Sequence, residues 1–323
     1  MTRTALITGI AGQDGSYLAE LLLEKGYQVV GMIPRRSTPE TQTLRLEAIK
    51  HELELEYGDV LDLSSIQRVL TGFRPDEVYH LAAQSHVQIS FTEPSHTTSV
   101  ISLGTLNMLE ATLMHAPAAR FYHAGSSEMF GNTPDYPITE SSRTLPASPY
   151  AAAKLHAFHL TRLYRESRAM FAVNGILFNH ESPRRGLNFV TAKVVKGALD
   201  IKHGVRPKLE LGNLDATRDW GHARDYVRAM WMMLQQPSPE DFLIATGREV
   251  SVRELCRQVF DKLGLGDYQR YVVTSERFIR PQDVDRLRGD AGKAKRLLGW
   301  EPTIGFEALI DEMIDELDRR FYG

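Results

Sequence analysis

TALITGIAGQDGSYLAELLLEK, residues 4–25, is the stretch on which the fold turns. Thr4–Thr8 is an apolar run of strand length, Gly9-Ile10-Ala11-Gly12-Gln13-Asp14-Gly15 is a glycine-rich turn, and Ser16–Lys25 carries Leu18, Leu21 and Leu22 on one helical face. Glycines between a strand and a helix allow a tight bend and close approach of backbone to a pyrophosphate. The helix N-terminus then offers unpaired N–H groups and the positive end of its dipole. Gly9, Gly12, Gln13, Asp14 and Gly15 are therefore candidate pyrophosphate-binding residues. GxxGxxG by itself is a weak signal, and its place between a strand and a helix is what gives it meaning.

The same alternation continues outward. Gln28–Ile33, Leu53–Tyr57, Glu77–Ala82, Arg120–Ala124 and Phe171–Leu177 read as further buried strands, separated by helix-period segments such as Ile101–Met114. Repeated βα units predict a doubly wound parallel sheet of the Rossmann type, which binds ligands beyond the carboxyl ends of its strands. After Leu177 the chain becomes rich in Gly, Pro and basic residues, with one more strand near Leu243–Thr246 and helices near Arg224–Gln235 and Val250–Gly264. The expected division is a cofactor-binding domain of residues 1–180 plus about 213–246. A second, smaller α/β substrate domain takes about 181–212 plus 247–323.

Composition narrows the class. The 323 residues carry a formal net charge of −3, with 42% hydrophobic and 24% charged residues, so neither nucleic acid nor an anionic membrane is an expected partner. No apolar run approaches the ~18 residues of a membrane span, and the opening Met1-Thr2-Arg3-Thr4 leads straight into strand sequence, unlike a signal peptide. The single cysteine, Cys256, excludes an internal disulfide and a multi-cysteine metal site. His156 and His159 have no further ligands at metal spacing, so no metal is assigned. A cytoplasmic protein is expected.

The end of the second strand reads Ile33-Pro34-Arg35-Arg36-Ser37, where an NAD site usually carries Asp or Glu for the ribose hydroxyls. Two guanidiniums and a hydroxyl suit a 2′-phosphate instead, which points to NADP. Asp59, with Val60 beside it, is expected at the adenine. Leu81, Ala82, Ala83 and Ser85 follow the fourth strand, where the ribose and nicotinamide would pass.

Tyr150-Ala151-Ala152-Ala153-Lys154 follows Ser148-Pro149, which opens a helix. Residues four apart share a helical face, so Lys154 is expected to favour the phenolate of Tyr150, whose ordinary pKa is about 10. Such a tyrosine takes a proton from a sugar hydroxyl while hydride leaves for nicotinamide, and both residues count as cofactor contacts. Gly125-Ser126-Ser127-Glu128 follows the fifth strand. Ser126 is expected to hydrogen-bond the reacting oxygen, and Glu128 supplies a carboxylate that plain alcohol oxidation does not need. It is useful where a proton must leave carbon beside a new ketone.

Together, Gly9–Gly15 and Tyr150–Lys154 resemble the extended short-chain dehydrogenase/reductases. Within them the chain resembles the GDP-mannose 4,6-dehydratases, through GQDGSYLAELLLEKGY (12–27), AAQSHVQISF (82–91), GILFNHESPRRG (175–186), LGNLDATRDWGHARDYV (211–227), IATGREVSVRE (244–254) and RPQDVD (280–285). The resemblance runs from residue 5 to about 300. It implies oxidation at C4 by Tyr150, proton removal from C5 by Glu128, loss of water from C6 and return of hydride to C6. It also implies that His180 and Arg185 lie along the NADP, and that Ser85, Ser126, Glu128, Asn179, Lys193, Arg218 and Arg280 bind the GDP-sugar. Arg35 and Arg36 would reach a neighbouring subunit of a homotetramer.

One departure bears on the substrate. The family has Ser-Thr-Ser-Glu where this chain has Gly125-Ser126-Ser127-Glu128. The hydroxyl is kept and a methyl lost, and Gly125 is expected to widen the space beside the sugar, so a GDP-hexose or a GDP-heptose both remain open. The alternative enzyme is a nucleotide-sugar C4 epimerase or 4-keto reductase, neither of which needs Glu128 for C5 proton removal and elimination. A non-catalytic nucleotide-binding relative sits poorly with intact Ser126, Glu128, Tyr150 and Lys154.

Overall fold

Short apolar runs in the first half of the chain become neighbouring parallel strands. The structure, a computed structural model, describes residues 2–35, 42–278 and 281–323. Strands β1 (Thr4–Thr8), β2 (Gln28–Ile33), β3 (Leu53–Tyr57), β4 (Glu77–His80), β5 (Arg120–Ala124) and β6 (Ala172–Leu177) are joined at one edge by Phe242–Ile244. From that edge strand the order is β6, β5, β4, β1, β2, β3, every pairing parallel.

Alternate residues of each strand face opposite sides, so both faces need cover. Ile7, Val29, Tyr79, Tyr122 and Val173 pack with Leu18, Ala19 and Leu22 of helix Gln13–Glu24 and with Val227, Met230 and Met233 of helix Ala223–Leu234. On the other face, Leu6, Val30, Val78 and Phe121 meet Val69 and Leu70 of helix Leu63–Phe73 and Met108 and Leu109 of helix Gly104–His115. The strand order reverses at β1, which pairs with β2 on one side and β4 on the other. Ligands of such sheets bind beyond the carboxyl ends of the strands at that point.

A second core gathers helices Val190–Lys202, Val252–Lys262 and Phe306–Tyr322 around Leu209, Leu211 and Val272. The segment between the last two helices returns to the sheet, where Ala294, Leu298 and Trp300 join the first core. Asp219 secures the crossing between them. Fully buried, its carboxylate accepts from Thr246 N and Gly247 N at 2.8 Å and from Thr246 Oγ1 at 2.6 Å. Burial pushes its pKa up to about 6, against the hydrogen bonds from Thr246, Gly247 and Gly289, which favour the charged form. Asp219→Ala leaves these donors without an acceptor and is expected to lower stability by about 3 kcal/mol. An unchanged urea midpoint would show that Asp219 does not hold this junction.

Candidate functional site

At the carboxyl edge of the sheet, Gly9 adopts φ +74°, and a Cβ there would meet Ala82 N at 3.0 Å. A Cβ on Gly15 would stand 2.4 Å from Gly9 O, so helix Gln13–Glu24 settles directly on the turn only because that residue is glycine. The helix begins three residues before the predicted Ser16, and its N-cap, Gly12, provides no side-chain hydrogen bond. The N–H groups of the first turn are left for a ligand. These features fit the pyrophosphate of a dinucleotide.

Gln13 and Asp14 are held in place by the segment that follows β6. Gln13 Nε2 donates to His180 O at 3.1 Å, and Gln13 Oε1 accepts from Ser182 Oγ at 2.8 Å. His180 stands with Nε2 2.8 Å from Asp14 Oδ2 and Nδ1 2.7 Å from Phe178 O, stacked on Tyr226. Both ring nitrogens face acceptors, an arrangement that favours the doubly protonated imidazole. Burial opposes that charge, but Asp14 and the Phe178 carbonyl raise the His180 pKa. Burial likewise opposes the Asp14 charge, and His180 lowers the Asp14 pKa.

Beyond the second strand, the Arg35 guanidinium lies 5.3 Å from the centre of the Tyr57 ring. Asp59 Oδ1 accepts from Leu61 N at 2.9 Å. Leu81 N and Ala82 N both donate to Thr8 Oγ1 at 3.2 Å. β4 ends two residues before the predicted Ala82, and the Thr8 hydroxyl, beside the Thr8 carbonyl that also accepts from Leu81 N at 3.2 Å, holds the backbone that continues toward Ala83 and Ser85.

Ser148 Oγ accepts from Ala151 N at 3.1 Å and caps helix Pro149–Arg168, with Pro149 in its first turn. Tyr150 and Lys154 are both buried one turn apart. Their electrostatics differ from the expectation. Lys154 Nζ donates to Ala124 O at 2.7 Å and stands 5.9 Å from the centre of the Tyr150 ring. Burial pushes Tyr150 up to about 12, and a hydrogen bond with Ser126 works the other way. Burial also brings Lys154 down to about 8. For Tyr150, burial outweighs the opposing effects of Ser126 and Arg185 and favours the protonated phenol.

Glu128 is buried in the short helix Ser127–Phe130, and its N–H donates to Ser126 Oγ at 3.3 Å. The Gly125 N–H donates to Gly175 O at 2.8 Å, and a Cβ would meet that oxygen at 3.0 Å. The position continues the pairing of β5 with β6, so a side chain there would crowd the Gly175 carbonyl, and Gly125 lines the cleft.

Asn179 and His180 lie on strand Asn179–Glu181, paired in parallel with Trp220–His222. Asn179 Oδ1 is buried without a hydrogen-bond partner. Arg185 Nε lies 3.1 Å from Glu181 Oε2. Lys193 Nζ sits 3.2 Å from the centre of the Phe278 ring, and Arg218 Nη1 donates to Thr217 O at 2.8 Å.

Every described residue singled out from sequence, from Gly9 to Arg218, borders one cleft of about 1470 Å³. Arg36, Ser37 and Arg280 lie outside the described residues. Arg45 and Phe278 also line the cleft and escaped sequence reasoning, because neither belongs to a motif and only tertiary folding brings them there. Among the described residues, no group of three or more His, Cys, Asp or Glu stands together as a metal site.

A dinucleotide turn at a topological switch point, sharing its cleft with a buried Ser–Tyr–Lys set, defines an extended short-chain dehydrogenase/reductase. The family model for GDP-mannose 4,6 dehydratase matches residues 6–313. The chain belongs to this family. It is 50% identical over 324 residues to GDP-mannose 4,6 dehydratase 1 of Arabidopsis thaliana, covering 97% of this chain and 89% of that protein. It is 45% identical to the GDP-mannose 4,6 dehydratase of Homo sapiens over 336 residues, 96% and 90% of the two chains. A dTDP-glucose 4,6-dehydratase of Streptomyces venezuelae, solved with NAD and TYD bound, superposes with a TM-score of 0.84 at 26% identity, covering 98% of this chain and 97% of that one.

Proposed function

We propose that the protein dehydrates GDP-mannose, or a close GDP-hexose or GDP-heptose, to the GDP-4-keto-6-deoxy sugar. The observation that carries this reading is the burial of Glu128 and Tyr150 in one cleft, with Ser126 Oγ accepting from the Glu128 N–H at 3.3 Å and acting to lower the Tyr150 pKa. Membership of the family supports it over a C4 epimerase or 4-keto reductase. A nicotinamide dinucleotide, held by the Gly9–Gly15 turn and the cleft beside Tyr150 and Lys154, would supply reversible hydride transfer and so would not be consumed. Tyr150 takes the C4 hydroxyl proton, helped by the Ser126 hydrogen bond. Glu128 removes the proton from C5, made acidic by the adjacent ketone, and gives it to the departing C6 hydroxyl, which leaves as water. A proton equal to the one Tyr150 took returns to C5 when hydride reaches C6. Lys154 anchors the helix face to Ala124 O and places positive charge near the phenol.

Arg35, with Arg36 and Ser37 after it in sequence, supports NADP over NAD. The two halves of the cleft divide the ligands. Residues 1–180 plus about 213–246 would form the dinucleotide-binding domain and about 181–212 plus 247–323 the GDP-sugar-binding domain, with Lys193 of the second and Arg218 of the first toward the sugar's diphosphate. A cytoplasmic homotetramer completes the proposal on family resemblance. Among the described residues, no helix is long and apolar enough to cross a membrane.

Purified protein given GDP-mannose and a trace of NADP is expected to yield a sugar nucleotide lighter by one water, with no lasting gain in NADPH absorbance. Stoichiometric NADPH, or a product of unchanged mass, would contradict the dehydratase reading.

A further inference from the structure

We propose that Arg45 is a phosphate ligand of the cleft, covering the Ala11 side of the glycine turn and holding a phosphate of the bound dinucleotide. The inference rests on the dinucleotide reading above. Arg45 belongs to the short helical turn Leu44–Leu46, and Leu46, fully buried in the core of the sheet, fixes its backbone. Its Nε donates to Arg184 O at 2.8 Å and its Nη1 to Ala11 O at 3.2 Å. Ala11 lies within the phosphate-binding turn, and Arg184 precedes Arg185. The guanidinium thus spans the two loops that border the turn.

A guanidinium has five N–H donors. Two are spent on carbonyls, which fix its orientation without neutralising it, and three remain. Among the described residues, no carboxylate pairs with Arg45. Its neighbours differ: Arg184 Nη2 stands 2.6 Å from Glu20 Oε1 and Arg185 Nε 3.1 Å from Glu181 Oε2. Desolvation, with the nearby guanidiniums of Arg320, Arg184 and Arg185, lowers the Arg45 pKa. Of Arg45, Arg184 and Arg185, which gather beside an uncapped helix start, Arg45 is the one without a carboxylate partner among the described residues. The planar fork of arginine matches phosphate oxygens in a bidentate contact.

The test is the affinity for NADPH and for NADH, measured by nucleotide fluorescence at two salt concentrations. Wild type, Arg45→Gln and Arg45→Lys are compared. Arg45→Gln is expected to raise the NADPH Kd about 10–100-fold, with a shallower dependence on salt, and Arg45→Lys to recover part of the loss. The melting temperature without nucleotide should hold, since water can replace the guanidinium at both exposed carbonyls. A loss confined to NADPH assigns the 2′-phosphate as partner, and equal losses for both nucleotides assign the pyrophosphate. Unchanged affinities would overturn the proposal, as would a loss of affinity with the salt dependence intact, which marks loop packing. A wild type that binds neither nucleotide would sink the dinucleotide reading, and this inference with it.

Discussion

Replacing Tyr150 by phenylalanine is expected to slow turnover about 10²–10⁴-fold, the usual cost of losing a positioned acid–base group. The ring's packing against Ile101, Ala153 and Ala157 is kept, so folding and nucleotide binding should survive. What disappears is the oxygen whose pKa burial pushes up to about 12 and on which Ser126 acts in the opposite sense. Burial favours the protonated form of that oxygen. Ser126 and the charge of Lys154 must therefore help the phenol to shed its proton before it can act as base. Single-turnover formation of NADPH isolates this first oxidation. A near-normal rate in Tyr150→Phe would place the base elsewhere.

Glu128→Gln is expected to separate the oxidation from the elimination. Tyr150, Lys154 and Ser126 are untouched, and glutamine keeps the N–H that donates to Ser126 Oγ, so C4 oxidation should proceed. An amide cannot take the C5 proton. The variant should then accumulate reduced nucleotide with the 4-keto sugar, while dehydrated product forms about 10²–10⁴-fold more slowly. Exchange of the C5 hydrogen with solvent deuterium should fall in parallel. Wild-type dehydration together with wild-type C5 exchange would remove Glu128 from the mechanism. An epimerase or 4-keto reductase has no elimination step to lose, so the stalled intermediate is specific to the dehydratase reading.

The sheet was readable because strands buried on both faces appear as unbroken apolar runs. Thr4–Thr8, Gln28–Ile33, Leu53–Tyr57 and Arg120–Ala124 fall where the sequence places them. The boundaries that differ depend on tertiary contacts. After His80 the Leu81 amide is shared between the Thr8 carbonyl and hydroxyl and the Ala82 amide goes to the hydroxyl, so the ladder ends there, and helix Gln13–Glu24 starts early because Gly15 can rest on the Gly9 carbonyl. Motif spacing located the cleft, since the glycine turn and YxxxK are local patterns. It did not show that Lys154 bonds the Ala124 carbonyl, that burial dominates the Tyr150 pKa, or that Gly125 faces Gly175. Each depends on a neighbour far away in sequence. Arg45 has no motif at all, and only the approach of Ala11 and Arg184 singles it out.

The central claim is a closed redox cycle in which the hydride taken from C4 returns to C6 of the same sugar. The most direct measurement uses GDP-mannose deuterated at C4, with excess unlabelled NADPH in solution and mass and NMR analysis of the product. The account predicts a product that has lost one water and carries its deuterium at C6. A product without deuterium, or deuterium appearing in the free NADPH, would contradict it.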